Sequence, residues 1–415
     1  LGDTYQRQGF RAAGTVGLRM VRRKIPLIWN QLVTRGQVRQ VRQRLRDAAA
    51  ADTALSTSTG PGRAPRIAVV ITGGVGDMIV IARFLRDLGL AAGDLVFDVF
   101  CSSPTTAAWA LAAVPGVDQT YHDILFEPLA ADYDVALRVN QMIVVFRETI
   151  RWPVLKDRPV LTRVLAHLIR TRGDVDVFVE RHPFLDHYLA RSSVFAERTR
   201  RDFLHHLAGI PYTGDLLPVP ASDAALAREG LSPRGYVTVH NGFDPSFVIS
   251  GTRATKCYPH FDAVVRILKR ALPSMTFVQV GTRTSEALPA CDVQLIDRTT
   301  LPEVAGLLRG AAFHIDNEGG LVHLARCYGV VSGVVFGPTP SDYFAYPDNV
   351  TIDPPVCGNC WWQTRTWMDA CAKGYGTPRC MTEQDPAEVA RRVLEAMRAQ
   401  GVTDDARPRP VAAIA

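Results

Sequence analysis

Compact runs of branched apolar residues alternate with helical periodicity along most of the chain. "RIAVVIT" at 66–72 is a β-branched run of the kind buried in a parallel sheet. A glycine turn follows, then "DMIVIARFLRDLG", whose apolar spacing predicts a helix closed by Gly89. "LVFDVFCS" (95–102) and "DVALRVN" (134–140) predict later strands of the same sheet, while 141–210 reads as longer and more helical. A second series starts near Tyr236. Strands "YVTVH", "MTFVQVG", "AFHID" and "VSGVVF" are separated by helical "HFDAVVRILKRAL", "LPEVAGLLRGA" and "LVHLARCYGV". Alternation at this spacing predicts a parallel, doubly wound sheet, and it occurs twice, with a break at 211–232. The expected fold class is α/β: two Rossmann-like doubly wound domains, with the C-terminal ends of both sheets facing one cleft. "DPAEVARRVLEAMRA" predicts a final helix with an acidic first turn, packed back across the domains.

Both chain ends depart from this pattern. Residues 1–50 space Leu18, Val21, Ile25, Ile28 and Leu32 along one helical face with arginines around it. "AAAADTALSTSTGPGRAP" (48–65) lacks bulky residues and marks a linker. The expected organisation is a basic helical extension at 1–50, a linker at 51–65, Rossmann-like domains at 66–220 and 233–353, a cysteine-rich segment at 354–382 and a helix at 383–400.

Charge sharpens that division. The net +6 conceals eleven Arg and Lys against Asp3 and Asp47 in the first 50 residues, which leaves the remainder at −3. The basicity therefore belongs to the extension. Its plain reading is a solvated basic helix; the reading preferred here is a helix that meets an anionic membrane surface or a partner, with Ile28, Trp29 and Leu32 on the apolar side. No nucleic-acid-binding module accompanies the charge, so no nucleic-acid partner is expected. With 47% hydrophobic and 21% charged residues, the composition is that of an ordinary globular protein, and no apolar run reaches 18 residues. Nothing has the layout of a signal peptide. Cys101, Cys257, Cys291 and Cys327 are scattered single thiols, which suits a reducing compartment and a cytoplasmic protein, with 1–50 at the inner membrane face.

Three glycine-bearing junctions carry candidate chemistry. In "TGGVGDM" (72–78) a strand meets a helix, but Ile79 stands where a dinucleotide fingerprint wants its third glycine. Asp77 is there either a first-turn acid stabilising the helix or a base facing the cleft. In "TRATKCYPHF" (252–261), Lys256 is either a solvated side chain or a point charge for a phosphate. In "HIDNEGGLVHLA" (314–325), Gly319 and Gly320 would let the backbone approach a diphosphate at a helix N-terminus, and Glu318 would accept from sugar hydroxyls. His323 reads as a core histidine or a site residue.

Taken in order, strand–"GGVGD"–helix, "K-x-YP", "NEGGLVHLA" and "FGPT" (336–339) resemble glycosyltransferase family 9, the bacterial heptosyltransferase family, across roughly 66–350. The resemblance implies a GT-B fold with an N-terminal acceptor domain and a C-terminal donor domain. It also implies metal-independent, inverting transfer from a nucleotide-diphosphate sugar of the ADP-heptose kind to a protein or envelope-glycan hydroxyl. Asp77 matches the family's base, with Gly76 beside it. Lys256 matches the lysine that contacts the donor phosphates, Tyr258 replacing a tryptophan, and Thr252 and Arg253 precede it on the donor side. Glu318, Gly319, Gly320 and His323 match the family's "D-S-G-P-M-H" element, and Pro338 and Thr339 fall in "FGPT". Glu318 for Asp and Gly319 for Ser are departures that bear on which sugar is carried.

"PPVCGNCWWQTRTWMDACAKGYGTPRCM" (354–381) holds Cys357, Cys360, Cys371 and Cys380. Four thiolates with a CxxC knuckle suit a closed tetrahedral metal site with a structural role, Trp361, Trp362 and Trp367 packing around it; two disulfides and free thiols are the other readings. Zinc is the default. Iron is the metal in similar fingers of the branch that heptosylates autotransporter proteins, which this segment resembles. Such a finger is expected to brace the cleft or join copies of the chain into a homo-oligomer. Two other readings compete. A nucleotide-cofactor oxidoreductase lacks its fingerprint here, and a non-catalytic scaffold would assemble through the finger and the basic helix.

Overall fold

The computed structural model describes residues 33–51, 63–181, 194, 196–244, 253–364 and 366–402. Strands β1 (Arg66–Ile71), β2 (Val96–Cys101), β3 (Val117–His122), β4 (Val135–Val139) and β5 (Ile143–Val145) form one sheet in the order β3-β2-β1-β4-β5. β5 lies antiparallel to β4, and the other pairings are parallel. A second, all-parallel sheet is built from β6 (Tyr236–Val239), β7 (Thr276–Gly281), β8 (Val293–Ile296), β9 (Phe313–Asn317), β10 (Ser332–Val335) and β11 (Val350–Ile352), in the order β11-β10-β9-β6-β7-β8. Strand order reverses between β1 and β4 in the first sheet and between β6 and β9 in the second. Ligands bind at such switch points in open α/β sheets.

The central strands are those the apolar runs predict. The unpredicted ones have physical reasons to be silent: β3, "VDQTYH", and β8, "VQLI", are partly exposed edges, and β5 and β11 are three residues each. Of the helical extension, Leu18 to Leu32 lie outside the described residues. Residues 33–51 form helix α1, whose Val38, Val41 and Leu45 are buried against Ala68, Val70 and Phe100 of the first sheet. Its arginines meet acids of the domain: Arg42 Nε is 2.8 Å from Asp132, and Arg44 pairs with Asp118 at 2.7 Å and with buried Asp98. This half of the extension is therefore a piece of the core rather than a solvated helix.

Helix α2 (Val75–Ala92) is buried from Met78 to Leu88 apart from Arg86, and runs through Gly89. It ends at Gly93, whose φ of +83° lets its N–H return to Gly89 O at 2.9 Å. The helical stretch expected in 141–210 contains α3 (Pro159–Arg181). In the second domain, α4 (Phe261–Ala271) packs beside β6 and β7. Helix α5 (Leu301–Gly310) starts on a capping box of Thr300 and Glu303, and α6 (Gly320–Cys327) follows β9. The last helix, α7 (Pro386–Ala399), is capped by Asp385 and buries Val389, Ala390, Val393 and Met397 in the second domain's core rather than across both domains. The break at 211–232 is a strap, not a loose linker. Leu217 N–H donates to Cys327 O at 3.2 Å, Trp109 Nε1–H to Pro220 O at 2.8 Å and Tyr328 O–H to Val219 O at 2.7 Å. Among the described residues no helix is long and apolar enough to cross a membrane.

Candidate active site

The two switch points face each other across a cavity of about 540 Å³, within the range of a small-molecule site. Strand ends supply its rim: Thr72 after β1, Asn140 and Gln141 after β4, His240 after β6, Gly281 and Thr282 at β7, Glu318 after β9. Of the predicted residues, Gly76, Asp77, Lys256, Glu318, Gly319, Gly320 and His323 all line it. Pro338 and Thr339 do not: they lie beneath the cysteine-rich segment, where Trp361 N–H donates to Pro338 O at 2.9 Å and Thr339 is buried. Arg253 points to Glu286 on the exposed surface, and Thr252 lies outside the described residues.

Asp77 sits in the first turn of α2. Its Oδ1 accepts from Arg200 Nη2 at 2.8 Å and from Gln141 Nε2 at 3.4 Å. Its Oδ2 lies over Gly73, where a Cβ would come within 2.2 Å; that glycine also has a φ of +111°, open only to a residue without a side chain. Arg200 was not legible beforehand, because its segment has no periodicity and its partner is 123 residues away.

Across the cavity, Lys256 Nζ is 3.5 Å from Glu318 Oε2, both side chains largely buried. Burial works against the ammonium, but Glu318, Cys257 and Asp316 outweigh it and hold the lysine above its ordinary pKa. Behind them lies a buried relay. Thr238 Oγ1 meets His314 Nδ1 at 2.9 Å, His314 Nε2 meets Asp316 at 3.3 Å, and Asp316 meets His240 Nδ1 at 2.7 Å. Burial opposes the Asp316 charge, yet His240 and His314 keep its pKa below the ordinary carboxylate range.

Arg83 Nη1–H donates to the Tyr346 oxygen at 2.6 Å, and the Tyr346 hydroxyl and His323 Nδ1 share a hydrogen bond of 2.7 Å. Burial, then the charges of Arg83, Arg200 and Lys256, push the His323 pKa down to about 3. Arg83 itself is fully buried, and the Tyr346 hydroxyl and the Cys327 thiol overcome burial to raise its pKa above the usual arginine range.

The glycines do different work from one another. A Cβ on Gly76 would stand 2.7 Å from His323 Cδ2 and 3.1 Å from Gly320 Cα, and one on Gly320 would stand 3.1 Å from Gly76 N. These two are small so that α2 and α6 can lie side by side across the domains, from Gly76 against Gly320 to Arg83 against Cys327. Gly319 has open space by comparison, its nearest neighbours being 3.9 Å away.

The cysteine-rich segment forms part of the cavity wall through Trp361, Trp362, Trp367 and Met368. Its four cysteines are free thiols. Burial pushes the Cys380 thiol up to about 12, and the charges of Cys357, Cys360 and Cys371 add to the rise. Among the described residues no group of three or more His, Cys, Asp or Glu side chains is gathered closely enough to hold a metal ion.

No protein-family model matches the chain, and no curated protein matches it. Solved structures do. ADP-heptose lipopolysaccharide heptosyltransferase II of E. coli is similar over 81% of this chain and 99% of its own, at 17% identity and a TM-score of 0.50. The iron-containing, dodecameric heptosyltransferase TibC, solved in complex with ADP-D-β-D-heptose, is similar over 81% of this chain and 77% of its own, at 15% identity and a TM-score of 0.51. A second structure of TibC, from enterotoxigenic E. coli, matches over 81% and 76% at 15% identity and a TM-score of 0.50. The chain has the fold of the heptosyltransferases: two Rossmann-like domains closed about a shared cleft.

Proposed function

We propose that this protein is an inverting glycosyltransferase that moves a heptose-like sugar from a nucleoside-diphosphate donor to a hydroxyl of a protein or an envelope glycan. The observation that carries the reading is the placement of Asp77 at one switch point and of Lys256 and Glu318 at the other, around one cavity. In such a transfer the acceptor oxygen attacks the anomeric carbon, its proton goes to a base, and the diphosphate leaves from the opposite face with the bonding electrons. Asp77 presents Oδ2 for that proton while Arg200 and Gln141 hold Oδ1. Lys256 and the N-terminus of α6 take the charge that develops on the diphosphate. Glu318 accepts from sugar hydroxyls, with the neutral His323 ring in the same wall of the cavity. The longer side chain of Glu318 and the open space at Gly319 bear on which sugar fits.

Cys357, Cys360, Cys371 and Cys380 would hold zinc or iron, which would supply structure to the finger and no step of the transfer. The same reading has the protein in the cytoplasm, with residues 1–32, ahead of α1, at the inner membrane face, and lets the finger join copies of the chain.

A thermal-shift panel of nucleoside diphosphates and diphospho-sugars on the full chain, with metal content measured on the same sample, tests this. A saturable shift with ADP or ADP-heptose, abolished by Lys256→Ala, is the expected result. One metal per chain with no shift for any nucleotide would replace the transferase by the scaffold.

A further inference from the structure

Lys256 stands in an irregular loop between β6 and α4, with no ladder or helix to fix it. Tyr258 N–H donates to Asn317 Oδ1 at 2.8 Å, and the bonds of Thr255, the Tyr258 hydroxyl and His260 run to a segment more than 100 residues away. Thr255, the residue just before it, is buried; its Oγ1–H donates to Trp367 O at 2.6 Å and its N–H to Met368 O at 2.8 Å. On the other side of the lysine, the Tyr258 hydroxyl donates to Gln384 O at 3.0 Å, and His260 Nε2 bonds Thr382 O at 3.1 Å. These four backbone acceptors lie in or just beyond the cysteine-rich finger. The finger is itself anchored, because Asn359 N–H donates to Gly337 O at 3.1 Å and Trp361 N–H to Pro338 O at 2.9 Å. Apolar packing joins the same parts, with Ala254 and Cys257 clustered against Trp361, Trp367 and Met368.

A lysine ammonium acts as a point charge on a flexible stem, so its value to a diphosphate depends on where its backbone is held. An unfastened loop would have to be ordered at each binding event, at the expense of affinity. We infer that Thr255 is a positioning residue for the donor diphosphate: through its hydroxyl and amide it ties the Lys256 loop to the finger, which makes the finger part of the donor site. The ligand is a nucleoside diphosphate, and the inference rests on the transferase reading above.

The test is calorimetric titration of ADP into the full chain, its Thr255→Val variant and its Thr255→Ser variant. Valine keeps the shape and removes the hydroxyl, leaving Trp367 O without that donor. ADP binding about tenfold weaker in Thr255→Val, recovered to within about twofold by Thr255→Ser, is expected. In transfer assays the donor KM should rise while kcat changes little. ADP affinity unchanged in Thr255→Val overturns the inference, even if the melting temperature falls, because a purely structural threonine would behave that way. If the valine variant does not fold, amide exchange in the unsubstituted chain decides. ADP should slow exchange at Thr255, Asp369 and Ala370, none of which lines the cavity; protection confined to cavity-lining residues overturns it. A chain that takes up no ADP at all brings down the transferase reading and this role together, whereas ADP uptake indifferent to Thr255 removes this role alone.

Discussion

The Arg200 guanidinium, 1% exposed, donates to Asp77 Oδ1 at 2.8 Å, so a buried cation fixes one oxygen of the carboxylate that opens on the cleft. The pair separates orientation from proton transfer. Asp77→Asn keeps a hydrogen-bonding side chain but has no carboxylate to accept the acceptor proton. It is expected to bind ADP as the unsubstituted chain does and to lose about 10²–10⁴-fold in transfer rate. Arg200→Gln leaves the carboxylate but not its alignment, for an intermediate loss of about 10²-fold. Single-turnover transfer beside ADP titration separates these, and an Asp77→Asn chain with full transfer would falsify the base assignment.

Lys256 and Glu318, 3.5 Å apart, predict an asymmetric double-mutant cycle. Removing the lysine leaves a carboxylate facing the incoming diphosphate, so Lys256→Ala should weaken ADP by more than the lost attraction alone, about 10²-fold. Adding Glu318→Gln removes the repulsion and should recover about tenfold. Strictly additive effects in ADP titrations would show that the two do not share the ligand.

Gly76→Ala reverses the usual sign of a helix substitution. Propensity alone favours alanine by about 0.8–1.0 kcal/mol. Here the added methyl meets His323 Cδ2 at 2.7 Å and the Gly320 backbone at 3.1 Å, and overpacking of this kind costs about 1–3 kcal/mol. A melting temperature lower by several degrees is expected. Gly74→Ala, which meets only the tip of Asp244 at 3.1 Å, serves as the milder comparison. Equal melting temperatures for the two would show that the helix ends have room to spare.

His323 is neutral in the folded chain, with a pKa of about 3 against an ordinary 6.5, so between those values the unfolded chain binds the extra proton. Stability should therefore be full above pH 6.5 and fall as the pH drops toward 3. The upper part of that window is distinctive, because carboxylates with lowered values, such as Glu303, act only below their ordinary 4.5. Denaturant titrations from about pH 7 to about pH 5 should show the decline, and His323→Gln should flatten it. An unsubstituted chain equally stable across that range would contradict a buried neutral ring.

The sheets and the gathering of Asp77, Lys256, Glu318 and His323 were legible because each follows a strand in a repeating pattern, and parallel strands deliver their C-terminal ends to one place. Three kinds of residue were not. Arg200 and Gln141 act through partners far along the chain, where no local spacing registers them. His240 and Asp316 looked like the tails of two strands until strand order put β6 beside β9. The finger tryptophans read as packing for a metal site, since nothing in their spacing shows that they also wall the cleft. Residues 33–51 mislead by charge, as their arginines outnumber the three apolar positions that hold them to the sheet.

Arg83 finds its hydroxyl partner, Tyr346, 263 residues downstream. During synthesis at about 5–20 residues per second, the first domain is complete well before that partner leaves the ribosome. Until then its guanidinium, buried in the finished protein, has Asp215 of its own half at 4.0 Å but no hydroxyl to donate to. A chimera that grafts the first half onto an unrelated mate would leave Arg83 facing Asp215 without the hydroxyl that completes its buried site.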